Sequence, residues 1–137
     1  MNKVAERIKK YKELKADIVD IDIKIQELEE DMLGVGSITY EERTGKTYKI
    51  TSSVEHQAEK HLEEKDKLLK LKAKKEREIL RIDNAMTVLT EEEYIVVNTV
   101  LIQGEKWWKL EERLHKSYRR LKYIEEDAIK KMKKYFS

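Results

Sequence analysis

The sequence predicts a mainly all-α chain: a long N-terminal helical hairpin or coiled coil with a small β-hairpin or loop inserted, then a C-terminal three-helix helix-turn-helix domain. Three observations carry that expectation. The 137 residues include no proline and only four glycines, and 42% are charged against 39% hydrophobic, a composition suited to long helices rather than a thick core. Apolar residues recur at near-heptad spacing through the first third. Beyond Val88 the long pattern breaks into three short pieces, the first and third of them with a helix-start signal.

In the first segment the apolar positions are Val4, Ile8, Tyr11, Leu14, Ile18, Ile21, Ile25, Leu28 and Met32. Steps of three and four alternate, with one irregularity where two threes fall together at Ile8–Tyr11–Leu14. One helix over residues 2–33 is expected, about 45–50 Å long at about 1.5 Å per residue, and ended by Gly34 and Gly36. Its narrow seam requires a partner helix. Residues 34–52, "GVGSITYEERTGKTYKITS", alternate Ile38 and Tyr40, then Tyr48 and Ile50, with polar neighbours around Thr44-Gly45, which predicts a short β-hairpin or ordered loop. Ser52 or Ser53 would cap a second long helix running to about Met86, with Val54, Ala58, Leu62, Leu68, Leu69, Leu71, Ile79, Ile82 and Met86 as its apolar positions. Its middle, "KLKAKKER", dilutes the seam with lysines whose stems cover it while their heads stay wet. The two seams pair either within one chain, as an antiparallel hairpin, or between chains in a homo-oligomer. The expected domains are therefore 1–88, with the insertion at 34–52, and 89–137.

Thr90 followed by Glu93 is a capping-box signature. It opens a helix with Tyr94, Val97, Val100 and Leu101 on one face, ending near Gly104. A second short helix spans about 106–114 with Trp107, Leu110 and Leu114 inward and Trp108 outward. A third starts at the N-cap residue Ser117. Around it, Leu121, Ile124, Ala128 and Met132 cluster within about 80° at about 100° per residue, and Arg119, Lys122, Tyr123 and Glu126 point the opposite way with Tyr118 beside them.

Charge is sorted along the chain. Residues 1–33 carry −2, 34–50 carry +1, 51–90 carry +1, 91–103 carry −3 and 104–137 carry +5, which together give the net +2. Between His115 and Tyr123 four cations and two tyrosines occur without an acid, and Glu125-Glu126-Asp127 follows at once. Cations on the first turns of the second helix of a helix-turn-helix suit DNA: arginine holds guanine edges, lysine reaches bases or phosphates, and tyrosine bonds the backbone.

The segment "LTEEEYIVVNTVLIQGEKWWKLEERLHKSYRRLKYIEEDAIKKM" resembles region 4 of bacterial sigma factors, with Ser117, Leu121, Ile124, Ala128 and Ile129 at its structural places. Behind a coiled coil and a mid-chain insertion, the layout resembles phage late-gene transcriptional regulators of the RinA/ArpU type. The resemblance implies a regulator, an activator of phage late-gene promoters, that binds double-stranded DNA sequence-specifically and contacts host RNA polymerase. By position Tyr118, Arg119, Lys122 and Tyr123 would face the groove and Arg120 the backbone, with Lys116, Lys106 and Trp108 completing the DNA-binding set. Two positions depart from the pattern: Glu111 stands where the family has a small residue, and His115 stands where it often has glycine, so His115 is expected at positive φ. Two other readings remain open. One is a phage small terminase subunit, which joins the same two elements in the reverse order. The other is an interaction module that binds RNA polymerase without DNA, using Trp108 and the "TEEEY" acids.

Nothing in the sequence suggests an enzyme, a cofactor or a metal site. His56 and His61 are five apart, Glu112 and His115 form a single Glu-x-x-His where a di-iron bundle needs two, and "RTGKT" lacks the spacing of a phosphate loop. There is no cysteine, no apolar run suited to a signal peptide, and no stretch near the roughly 20 apolar residues of a membrane span. The expectation is a cytoplasmic protein without a membrane partner.

Overall fold

A computed structural model describes the backbone of residues 3–41 and 47–136 and the side chains of residues 3–33 and 55–136. The described residues are mainly helical and include no strand: α1 Lys3–Lys9, α2 Tyr11–Glu41, α3 Thr47–Met86, α4 Glu91–Val96, a π-helical stretch Val97–Ile102, α5 Trp107–Leu114, α6 Tyr118–Met132 and a 3₁₀ turn Lys133–Phe136. They divide into two compact units, Asp17–Lys75 and a second formed by Met1–Ala16 with Glu76–Ser137.

In the first unit α2 and α3 of the same chain run antiparallel. Asp17–Lys75 at 2.9 Å, Asp22–Lys72 at 2.7 Å and Glu29–Lys65 at 2.9 Å tie them in steadily opposed register. On α2 the expected seam is the one found: Ile21 is buried, and Ile18, Ile25, Leu28 and Met32 are half-buried. On α3 the reading needs correction. Leu62, Leu69 and Leu71 are 54%, 45% and 44% exposed, whereas Ala58, His61, Lys65, Leu68, Lys72 and Lys75 form the half-buried heptad row. Three acids on α2 neutralise three of these seam lysines, so a polar position that composition would place outside has been drawn in.

The expected β-hairpin over 34–52 is also corrected. Helix α2 runs past Gly34 and Gly36 to Glu41, and α3 is already helical at Thr47, so Ser52 and Ser53 lie inside a helix rather than capping one. Residues 42–46, including Thr44-Gly45, lie outside the described residues. Once a helix is nucleated each further residue adds a hydrogen bond. A glycine costs only about 1 kcal/mol against alanine, less than proline would, so two glycines do not stop it.

The second unit has two apolar clusters. The larger gathers Val4, Ala5 and Ile8 of α1, Ile82, Ala85 and Met86 of α3, Val97, Leu101 and Ile102 of the π-helix, and Ala128, Ile129 and Met132 of α6. The seam irregularity at Ile8–Tyr11–Leu14 has a structural counterpart: the helix tightens at Lys10, whose N–H donates to the Arg7 carbonyl at 3.2 Å, dividing α1 from α2. Arg7 forks both oxygens of Glu78 at 2.7 Å, donates to the Phe136 carbonyl at 3.0 Å, and lies 4.8 Å from the Phe136 ring centroid. It thereby fastens the C-terminal turn to α1 and the end of α3.

The smaller cluster holds Val96, Leu110, Leu121 and Ile124, with Ile95, Val100, Trp107 and Leu114 against it. Around it pack α4, α5 and α6. The capping box forms as expected: the Glu93 N–H donates to Thr90 Oγ1 at 3.3 Å, and the Thr90 N–H to Glu93 Oε1 at 3.0 Å. Tyr94 departs from expectation, at 47% exposed, because the buried row runs through Val96, Val97, Leu101 and Ile102. The π-helix shifts the row: Gln103 N–H reaches back five residues to the Asn98 carbonyl at 2.8 Å.

Candidate nucleic-acid interface

The start of α6 is built by three local devices. His115 adopts φ 54°, ψ 43°, the left-handed conformation that ends α5. Apart from Gly104 at φ 70°, no other described residue has positive φ. Ser117, extended at φ −70°, ψ 156°, accepts the Arg120 N–H on its Oγ at 3.3 Å, so α6 begins at Tyr118. Leu110 and Leu121, both fully buried, set α5 against α6. At the other end of α6, Lys131 donates to Glu93 Oε1 at 2.8 Å and fixes that helix on the first turn of α4. Burial opposes ionisation of Glu93, but the hydrogen bonds from Lys131 and Thr90 outweigh it and hold the carboxyl below its usual range.

The sequence-selected residues collect around this helix start, and their freedom differs. Trp107 is half-buried and meets Tyr118 edge-on, with ring centroids 5.4 Å apart. Lys122 Nζ lies 5.1 Å from the Trp107 ring centroid and 3.7 Å from Glu125 Oε1, so it is already partly neutralised. Lys116 pairs with Glu92 at 3.0 Å. The Arg120 guanidinium stands 5.8 Å from the ring centroid of Tyr123, which is 56% exposed. Arg119 is exposed and makes no hydrogen bond, ion pair or ring contact with any described residue. Ser117, Arg119, Arg120 and Tyr123 line a shallow open depression of about 400 Å³.

Lys106 and Trp108 lie at the start of α5. Lys106 occupies the N-cap position, exposed and without a side-chain cap bond. Trp108 is 54% exposed, with Lys109 Nζ 5.9 Å from its ring centroid. The structure thus brings Tyr118, Arg119, Arg120, Lys122 and Tyr123 together on the first two turns of α6, with Lys116 just before them.

Two supporting residues escaped the sequence reading. Glu125 lies buried on α6, where burial pushes its carboxyl up against the opposing pull of Lys122. Helical angle alone would have placed it between Leu121 and Ile129, inside the apolar sector. Glu92 is the other, and its pairing with Lys116 joins two elements and leaves no local signal. Among the described residues no cluster of three or more His, Cys, Asp or Glu is arranged to hold a metal, and no helix is long and apolar enough to cross a membrane.

Comparison of the chain with protein-family models, with curated proteins and with solved structures finds no match.

Proposed function

We propose that this chain is a non-enzymatic, sequence-specific DNA-binding transcriptional regulator whose α5–turn–α6 segment acts as a helix-turn-helix. The observation that carries the reading is Arg119, an exposed arginine without a partner among the described residues, on the first turn of a helix whose opposite side is packed. In that role α6 enters the major groove and Arg119 reads guanine. Arg120 stacked with Tyr123, together with Lys116 and Lys106, holds the backbone, and Lys122 is reserved by Glu125 and Trp107 until DNA competes for it. The acids Glu126 and Asp127 on the following turn limit how far along the helix the duplex is gripped. The resemblance to RinA/ArpU-type regulators supports a phage late-gene promoter as the target.

Selection of binding sequences from a random duplex pool, followed by titration at several salt concentrations, tests this. A recovered motif, and affinity falling steeply with salt, are the expected results. Absence of any motif and of duplex binding at low salt refutes it.

A second reading, an RNA-polymerase-binding module without DNA contact, is favoured by the exposed Trp108. It requires polymerase capture that survives Arg119→Ala and fails with Trp108→Ala, together with no duplex binding.

A further inference from the structure

We infer that the α2–α3 hairpin of residues 17–75 is a self-association surface on which a second copy of this chain docks, α2 of each copy against α3 of the other.

The starting point is how little this unit buries. Of the side chains described between Asp17 and Lys75, Ile21 is the one apolar residue that reaches the interior, at 3% exposure. On the α3 side of the seam His61, Lys65, Lys72 and Lys75 interleave with Ala58 and Leu68, whereas Leu62, Leu69 and Leu71 stand outside it. Such a hairpin keeps lysines where apolar side chains would join its two helices and offers leucines elsewhere.

Those outside residues are not scattered. In α3, Leu62 and Leu69 are seven apart, on the flank next to the seam row His61–Lys65–Leu68–Lys72. Antiparallel helices set like flanks side by side, so this flank adjoins Asp22 and Glu29 of α2, and Val19 and Leu33 lie one position further out on that same side. Val19 is 59% exposed and Leu33 74%, and Ile23, at 47%, borders them. Leu71 lies on the opposite flank of α3.

The occupant is set by charge and register. Residues 17–33 of α2 carry seven acids and one base, net −6; residues 55–75 of α3 carry five acids and seven bases, net +2. Two copies meeting face to face have two symmetric choices. Placing α2 on α2 sets −6 against −6. Placing α2 on α3 alternates acidic and basic helices around a four-helix arrangement, the complementarity that selects pairing in coiled coils. In the second choice the symmetry axis runs along the hairpin, so levels are preserved. The Glu29–Lys65 and Asp22–Lys72 pairs fix those levels. Leu33 then falls opposite the second copy's Leu62, and Ile23 beside the second copy's Leu69. The chain leaves the unit at Asp17 and Lys75, which are ion-paired at 2.9 Å, so all four exits lie at one end of the dimer. Isologous pairing of this kind closes on itself as a dimer.

This inference rests on the hairpin alone and is independent of the DNA reading, and its test uses no DNA. The mass of the full chain in solution is measured for the natural protein, for Leu62→Glu/Leu69→Glu and for Leu71→Glu, with helicity checked by circular dichroism. The expected result is twice the chain mass for the natural protein and for Leu71→Glu, and the single chain mass for the double variant at unchanged helicity. A natural protein at single chain mass, or a double variant still at twice that mass, overturns the proposal. Should the double variant lose helicity, disulfide trapping decides. The chain has no cysteine, so Leu33→Cys and Leu62→Cys proteins carrying different mass tags are mixed and oxidised. A mixed disulfide dimer upholds the arrangement, and its absence refutes it.

Discussion

If α6 reads DNA as proposed, replacing Arg119 by alanine separates base reading from electrostatic attraction. Arg119 has no partner to lose among the described residues, so the substitution should leave the free protein unchanged and its effect should fall on the complex. A bidentate arginine–guanine contact is worth about 1–3 kcal/mol of discrimination, and a tenfold change in affinity is about 1.4 kcal/mol, which gives a loss of roughly 5- to 150-fold on the preferred site. Lys116→Ala should behave differently. Its ammonium must leave Glu92, 3.0 Å away, to reach a phosphate, and an exposed pair of that kind is worth about 0.2–1 kcal/mol. Affinity should therefore fall modestly and alike for every sequence, with the log–log salt slope shallower by about 0.9. Lys122→Ala is a poorer probe, because it strips Glu125 of its nearby cation. Fluorescence anisotropy with the selected duplex and a scrambled one, at several salt concentrations, reads all of these. If Arg119→Ala keeps both the affinity and the sequence preference of the natural chain, α6 does not lie against the bases.

The remaining predictions concern stability. Arg7→Ala removes the fork to Glu78 and the bond to the Phe136 carbonyl, and should cost about 1–2 kcal/mol in chemical denaturation after allowance for partial solvent exposure. The Arg7 hydrogen bond holds the Glu78 carboxyl below its usual range. That contribution is complete above the ordinary carboxylate range and is lost as pH falls through the lowered value, so Arg7→Ala should show less stability loss on acidification than the natural chain. Glu125 has the opposite sign. Burial raises its carboxyl, so its ionised form opposes folding, and Glu125→Gln should raise the melting temperature at pH 7 and leave it unchanged well below the carboxylate range. His61→Leu removes a buried Nδ1 that has no hydrogen-bond partner among the described residues and should stabilise the chain by about 1–2 kcal/mol in urea unfolding. At His115, glycine should be tolerated, whereas valine, β-branched at φ 54°, should lower stability by about 1–2 kcal/mol in the same assay.

Much of the C-terminal half could be read from the sequence because its signals are local. The Thr90–Glu93 box, the Ser117 cap and positive φ at His115 each depend on a few neighbouring residues, and each appears where expected. The α2 seam is equally legible because about six helical turns, from Tyr11 to Met32, repeat one spacing. What failed depended on partners distant in the chain. Lys65, Lys72 and Lys75 enter the α3 seam because Glu29, Asp22 and Asp17 await them there, and no window of α3 contains that information. The alternation at Ile38–Tyr40 and Tyr48–Ile50 suggests a short β-hairpin or ordered loop, because in a local window period two and two glycines outweigh the helices on either side. The cost of stopping two long helices outweighs such a short alternation. For the same reason the sorted cations of α6 could be placed on one helical face from sequence, but not ranked: Glu92 and Trp107, which restrain Lys116 and Lys122 and leave Arg119 free, come from other helices.

That ranking bears on how the cations work. A helix face bearing four unrestrained cations would hold any duplex, because phosphate attraction is indifferent to sequence. Here two of the four are tied to Glu92 and Glu125, and a third lies over Tyr123. Under the proposed DNA-binding role, each restraint is weak enough to be exchanged for a phosphate at little net gain, which would lower nonspecific grip more than specific grip. If α6 binds DNA as proposed, Arg119 would approach it with no described contact to surrender, and the share of binding energy that depends on the base beneath it would rise as the share from its neighbours falls. On the proposed reading, specificity from so small a face would follow from neutralising most of its charge internally, and the acids at Glu92 and Glu125 would matter to DNA choice without touching DNA.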